Sequence, residues 1–135
     1  MKKILIIFIL VFSGYDGINA QETKIKLEAK QLHINYLDSN YNELTTNPIG
    51  LNVNLTYDTF FKNYVIVYTD VEGRRNRIRW KFITENDAGD IIMQDNHGKY
   101  AYLIDKIETN GTLIFLGYEL DEYQRISVLK VSQIK

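Results

Sequence analysis

The chain has 135 residues, 16 basic against 17 acidic, with no cysteine and one proline. That length suits one domain, the balanced charge lacks the basic excess of a general nucleic-acid binder, and the missing cysteines exclude disulfides, thiolate catalysis, thiolate zinc sites and a lipid-anchored cysteine. At 45% apolar and 24% charged residues, the composition is that of a chain that folds.

Lys2 and Lys3 open the chain, Ile4 to Phe12 is unbroken apolar sequence, and Ser13, Gly14 and Gly17 lead into Asn19-Ala20-Gln21. A positive start, a short apolar run and a small residue before a cleavage point have the order of a secretory signal peptide. As a helix the apolar run rises only ~14 Å, about half of what the hydrocarbon core requires. The expectation is therefore a cleavable leader over 1–20, cut after Ala20, and no permanent membrane anchor. The mature domain would span 21–135 and lose Lys2, Lys3 and Asp16, leaving 14 basic and 16 acidic residues and a net charge of −2. Its expected location is secreted or periplasmic. Without cysteine, such a domain must be held together by packing alone.

Downstream, the periodicity is mostly two, the signature of strands. Ile25, Leu27 and Ala29 occupy odd positions, whereas Leu32, Ile34 and Tyr36 occupy even ones, so a bulge or tight bend is expected near Lys30-Gln31. Residues 37–50, with the single proline at Pro48, read as a loop. Leu51, Val53, Leu55 and Tyr57 alternate with polar residues, and Asp58 is placed to cap one short turn before Lys62. Tyr64 to Tyr68 is apolar on both faces, as in a central strand. Ile78, Trp80 and Phe82 then alternate with Arg77, Arg79 and Lys81. Turn clusters fall at Asp70 to Asn76, Asn86 to Gly89, Asn96 to Gly98 and Asn110-Gly111. Strands are expected near 24–29, 31–36, 51–57, 63–69, 77–84, 90–95, 99–109, 112–119 and 125–134. No repeat, low-complexity tract or interdomain linker is evident.

Asn-Gly favours a two-residue type I′ hairpin. Counting outward from Asn110-Gly111 pairs Thr109 with Thr112, Ile107 with Ile114, Asp105 with Leu116 and Leu103 with Tyr118. The apolar face of that hairpin would put Leu103, Ile107, Ile114, Leu116 and Tyr118 in the core. A bulge is expected to move Asp105 off that face, because an unpaired buried carboxylate is costly.

Four features carry possible chemistry. Arg75, Arg77, Arg79 and Lys81 would form one basic row on a strand, backed by Ile78, Trp80 and Phe82. Guanidinium groups grip phosphate, sulfate or carboxylate bidentately, although a solvated strand face paired with Glu85, Asp90 or Asp95 has the same pattern. Tyr64 and Tyr68 share a face, as do Tyr100 and Tyr102 beside Phe115, and aromatic rows either stack on ligands or pack in cores. The cluster Asp87, Asp90, Asp95, Asn96 and His97 lacks the alternation of a calcium loop and the spacing of a zinc site. Finally, no G-x-S-x-G elbow or phosphate-cradling glycine loop accompanies His33, His97 and the three mature serines, Ser39, Ser127 and Ser132.

These patterns predict an all-β domain of about eight strands in an antiparallel meander. It would form either an up-and-down barrel, lipocalin-like by architectural analogy, or a two-sheet sandwich. The expected function is a non-enzymatic binding module without metal or cofactor. Its ligand would be an anionic glycan, a lipid or another envelope component, contacted by Tyr64, Tyr68, Arg75, Arg77, Arg79, Lys81, Tyr100 and Tyr102, or held in a barrel mouth. The competing expectation is a structural or inhibitory protein whose ligand is another envelope protein. Nucleic acid is not an expected partner. A cavity lined by Tyr and Trp would favour the first, and a flat apolar surface the second.

Overall fold

The structure is a computed structural model that describes residues 24–135. The expected leader and its cleavage point lie outside the described residues. Eight strands follow one another: β1 (Lys24–Leu37), β2 (Glu43–Asp58), β3 (Asn63–Thr69), β4 (Arg75–Glu85), β5 (Ile91–Asp95), β6 (Tyr100–Lys106), β7 (Thr112–Gly117) and β8 (Ile126–Ile134). Each pairs antiparallel with the next, and β8 pairs back onto β1, from Ala29 opposite Ile134 to Leu37 opposite Ile126. That last pairing makes the sheet a closed up-and-down barrel and excludes the sandwich. Closure also leaves no free sheet edge.

Directly paired residues share a face, so the registers define inside and outside. Tyr57, Tyr64 and Trp80 form one inward row, Leu27, Leu55, Ile66 and Ile78 a second, and Leu103, Phe115, Leu129 and Ile34 a third. Phe115, Leu32, Leu55, Ile66, Met93 and Leu113 are fully buried. Trp80 stacks on Phe115 at 4.5 Å between centroids and 8° between planes, and Tyr64 meets the same ring edge-on at 5.7 Å. Such ring pairs add about 0.5–1.5 kcal/mol to the burial of their area.

The phase change expected in β1 is present and is shared by its neighbours. Ala29 and Leu32 are both buried, three residues apart, and they lie opposite Val53 and Gly50 on β2 and Ile134 and Val131 on β8. Each of these strands makes the same three-residue step between inward positions, with Asn52 and Gln133 at positive φ (53° and 56°). The bend therefore runs across β8, β1 and β2 as one feature, and β1 stays continuous where two strands were expected.

Two expectations are corrected. Most of 37–50 is strand: only Asp38–Asn42 turns, and Glu43 to Gly50 pairs with β1. Glu43 to Pro48 is exposed, so no apolar alternation marked it. Pro48 sits where the β1–β2 register shifts, a place that tolerates its missing N–H. The β6–β7 hairpin also lacks a two-residue turn. Ile107–Asn110 winds one helical turn, α1, closed by Gly111 at φ 68° with its N–H donating to the Ile107 carbonyl. Asp105 consequently faces Leu113 and Leu103 faces Phe115. An odd shift flips every β7 side chain, so Leu113 and Phe115 point in while Ile114, Leu116 and Tyr118 lie on the outer side. Asp105 is not moved out by a bulge. It stays in the inward row but lies exposed at the barrel's end, accepting the Tyr64 hydroxyl at 3.3 Å and the Ile107 N–H at 3.0 Å.

Candidate binding cavity

The two ends of the barrel differ. The turns at 59–62, 86–90 and 107–111 cap one end, above the Tyr64–Phe115–Trp80 cluster. The turns at 38–42, 70–74, 96–99 and 118–125 surround the other, and between them opens a cavity of about 390 Å³. Its wall is apolar and aromatic: Ile34, Tyr36, Tyr68, Ile78, Phe115 and Leu129, with Trp80 beside Phe115 at its inner part. Asn76, Asp95, His97, Lys99, Glu119, Asp121 and Ser127 line the outer part. The indole Nε1 of Trp80 is buried without a hydrogen-bond partner.

Two glycines at this end let their neighbours approach the backbone closely. Gly50 lies beneath Tyr68, and a Cβ on it would fall 2.3 Å from the Tyr68 Cδ2, so the ring lies across bare backbone. Gly117 lets β7 approach β8 so closely that a Cβ would sit 2.7 Å from the Ser127 carbonyl oxygen. Burial, and then the nearby Asp70 carboxylate, push the Tyr68 hydroxyl above its ordinary pKa, so it enters the cavity protonated, a donor as well as an acceptor.

All the mouth turns share one construction, a repeat too short to show as a sequence period. In Asp38–Asn42, Asp70–Arg74, Asp95–Lys99 and Asp121–Arg125, the aspartate Oδ1 accepts the backbone N–H groups two and four residues on, at 2.8–2.9 Å. The residue at the fourth position takes positive φ: Tyr41, Gly73, Gly98 and Gln124. Asn86–Asp90 at the capped end repeats the pattern with an asparagine in the lead and Gly89 fourth. Accepting these N–H groups favours the ionised carboxylate. At Asp70 the N–H of Arg74 and the amide of Asn76 lower the pKa. At Asp38 the N–H of Asn42 does so against a smaller effect of burial. At Asp121 burial opposes ionisation, but the N–H groups of Arg125 and Tyr123 and the Arg125 guanidinium outweigh it. Arg125 also lies over the Tyr36 ring at 3.9 Å and near Tyr123 at 5.0 Å, tying the 118–125 turn to the rim.

The residues singled out from the sequence divide among three places. Tyr64 and Tyr68 share the inward face, but Tyr64 is packed beneath the cavity and bonded to Asp105. Burial, followed by that carboxylate's charge, raises its hydroxyl pKa strongly. Tyr68 lines the cavity wall. Arg75, Arg77, Arg79 and Lys81 form the expected exposed row on the outside of β4, with Ile78, Trp80 and Phe82 behind it. Arg75 donates to the Asn52 carbonyl and Thr69 Oγ1, while Arg77, Arg79 and Lys81 have no ion pair among the described residues. Val65, Val67 and Gln94 face the row across the sheet, and none of Glu85, Asp90 and Asp95 pairs with it. Tyr100 and Tyr102 occupy the outward positions of β6, Tyr100 at the cavity rim. Phe115 points inward, so the neighbours of Tyr102 are Ile92, Leu116 and, at 4.8 Å, Tyr118.

Tyr36, Phe115 and Ser127 of the wall were missed, because only the barrel's registers bring them together. No group of three or more His, Asp or Glu residues is placed to hold a metal among the described residues. Asp87 and Asp90 cap the end opposite to Asp95 and His97. No helix among the described residues is long and apolar enough to cross a membrane. No protein-family model, curated protein or solved structure matches the chain.

Proposed function

We propose that the protein is a non-enzymatic binding module that holds a small, apolar-bodied ligand in the barrel mouth, in keeping with an exported envelope protein. One observation carries the reading: a cavity of about 390 Å³, walled by Tyr36, Tyr68, Trp80 and Phe115, opens among the turns at one end of the barrel. Its size lies in the range of small-molecule sites, and a few polar groups converging on apolar walls is their usual composition. The favoured class is a lipid-like or aromatic molecule. The basic row faces outward on β4; Arg77 also borders the cavity, and Arg75, Arg79 and Lys81 serve this reading only as a docking surface for anionic glycan or lipid headgroups. The competing reading, a protein partner, draws on the outward apolar row of Ile92, Tyr102, Leu116 and Tyr118.

One variant separates these readings. Trp80 is the single tryptophan and lines the cavity, so energy transfer from it to N-phenyl-1-naphthylamine reports a bound dye. Wild type is expected to bind the dye and to lose it to lipid-like competitors. Ser127→Trp points a bulky side chain into the same space and is expected to abolish dye binding while leaving the outer faces intact. Wild type that never takes up the dye rejects the cavity reading. Co-purification of an envelope protein that persists in Ser127→Trp favours the protein-partner reading.

A further inference from the structure

The turn at Asp95 differs from its sisters in one respect. In each of the other mouth turns the second carboxylate oxygen is satisfied locally. Asp38 Oδ2 accepts the Asn42 amide at 3.4 Å, Asp70 Oδ2 accepts Asn76 Nδ2 at 2.8 Å and Arg74 Nε at 3.4 Å, and Asp121 Oδ2 accepts Arg125 Nε at 3.0 Å. Asp95 spends Oδ1 on the N–H groups of His97 and Lys99, at 2.8 and 2.9 Å, and its Oδ2 accepts no hydrogen bond among the described residues. Lys99, which stands where Arg74 and Arg125 stand in the sister turns, is exposed and makes no ion pair with it.

That oxygen belongs to the half-buried residue directly opposite Trp80 on the inward row, and Asp95 lines the cavity. The turn is also anchored from outside, because Asn96 Oδ1 accepts the Arg79 N–H at 3.2 Å. A carboxylate oxygen without a donor among the described residues, on a half-buried side chain fixed by its turn at the rim of an aromatic-walled cavity, is an acceptor that a ligand can satisfy. The other charged or titratable groups lining the cavity are Arg77, His97, Lys99 and Glu119, which make no ion pair among the described residues, and Asp121, whose charge Arg125 answers.

Building on the cavity reading, we propose that Asp95 is a specificity-determining residue that accepts a hydrogen bond from the outer end of the ligand. The favoured ligand then has an apolar body, seated against Trp80, Phe115 and Tyr68, and an ammonium or hydroxyl end. A carboxylate end is disfavoured by repulsion from Asp95.

The test is competition of decylamine, decanol and decanoate, below their aggregation concentrations, against N-phenyl-1-naphthylamine, in wild type and Asp95→Asn. The variant keeps the turn: an asparagine side-chain oxygen already leads the same construction at Asn86, accepting the N–H groups of Ala88 and Asp90. In wild type decylamine is expected to bind roughly tenfold or more tightly than decanoate, the scale of a charge-assisted hydrogen bond, with decanol between them. In Asp95→Asn decylamine loses roughly that factor, decanoate gains and dye affinity is unchanged. A decanol affinity that falls as far as that of decylamine identifies the hydrogen bond, rather than the charge, as what is read. Dye binding with no discrimination among the three probes, or with the same discrimination in Asp95→Asn, overturns the role of Asp95 and leaves the cavity reading standing. Absence of dye binding in wild type overturns the cavity reading itself.

Discussion

The capped half and the mouth half of the barrel are made from the same strands, yet their interiors are opposites. Toward the cap, Tyr64, Ile66, Met93 and Leu113 are core residues at most 3% exposed, and Phe115 forms the boundary with the cavity. Toward the mouth, the same inward rows continue as Ile34, Tyr36, Tyr68, Ile78 and Ser127, all only half-buried around open space. A cysteine-free barrel is thus stabilised mainly at one end, which leaves the other free to be hollow. The sharpest test removes comparable apolar side chains from each half. Leu113→Ala is expected to cost about 3–5 kcal/mol, the range for a fully enclosed leucine, because transfer and cavity terms add. Ile78→Ala, on the wall of an existing cavity, should cost below about 2 kcal/mol, since it enlarges a space and creates none. Denaturant midpoints at constant slope measure both. Equal costs would mean that the two halves are packed alike.

The sequence shows the packed half far more clearly than the hollow one. Alternation through Val53, Leu55 and Tyr57, and through Ile78, Trp80 and Phe82, reports inward rows directly, because burial on one face forces a period of two; Leu51 continues that alternation in sequence but lies past the bend and is 60% exposed. The step between Ala29 and Leu32 was visible in the same way. The hollow half has no local signature. Tyr36, Tyr68, Phe115 and Ser127 come from four strands, and what makes them one site is barrel closure and the register of each hairpin. The Asn110-Gly111 pair shows how fragile that inference is. Read as a two-residue turn it puts Ile114 and Leu116 inside; the helical turn of Ile107–Asn110 displaces the register and puts Leu113 and Phe115 there. A signal for the turns did exist: Asp or Asn followed three residues later by Gly recurs at 70–73 and 95–98 in the mouth and at 86–89 in the cap. Its two sister turns hid behind Tyr41 and Gln124.

Acid should widen the difference between the halves. The carboxylates of Asp38, Asp70 and Asp121 are held below their ordinary pKa of 3.8 by the turn N–H groups they accept, against the opposing effect of burial at Asp121. Folding therefore favours their ionised form. The stability this brings is fully present above pH 3.8 and is lost as pH falls through the lowered values of the folded state. Below pH 3.8, the amide resonances of Asn42, Arg74 and Arg125 are expected to shift and broaden while those of Ile66 and Leu113 keep their native positions. Simultaneous loss of both sets would show that the mouth has no separate acid response.

The smallest expected effect lies within a single turn. Its fourth position takes positive φ, 84° at Gly73, 86° at Gly98 and 62° at Gln124. A side chain there costs roughly 1–2 kcal/mol, whereas glycine gives back about 0.5–1 kcal/mol through the greater freedom of the unfolded chain. The balance favours Gln124→Gly by about 0.5 kcal/mol, because Gln124 is exposed and its side chain makes no hydrogen bond among the described residues. The converse change, Gly73→Ala, meets nothing within 4 Å of the new Cβ, so any loss it causes comes from the backbone angle alone. Thermal melts should therefore move in opposite directions, up by a few degrees for Gln124→Gly and down for Gly73→Ala. If Gln124→Gly melts lower, the glutamine is held by the rim packing of Arg125, Tyr36 and Tyr123, and the 118–125 turn is then a more rigid part of the mouth than its sisters.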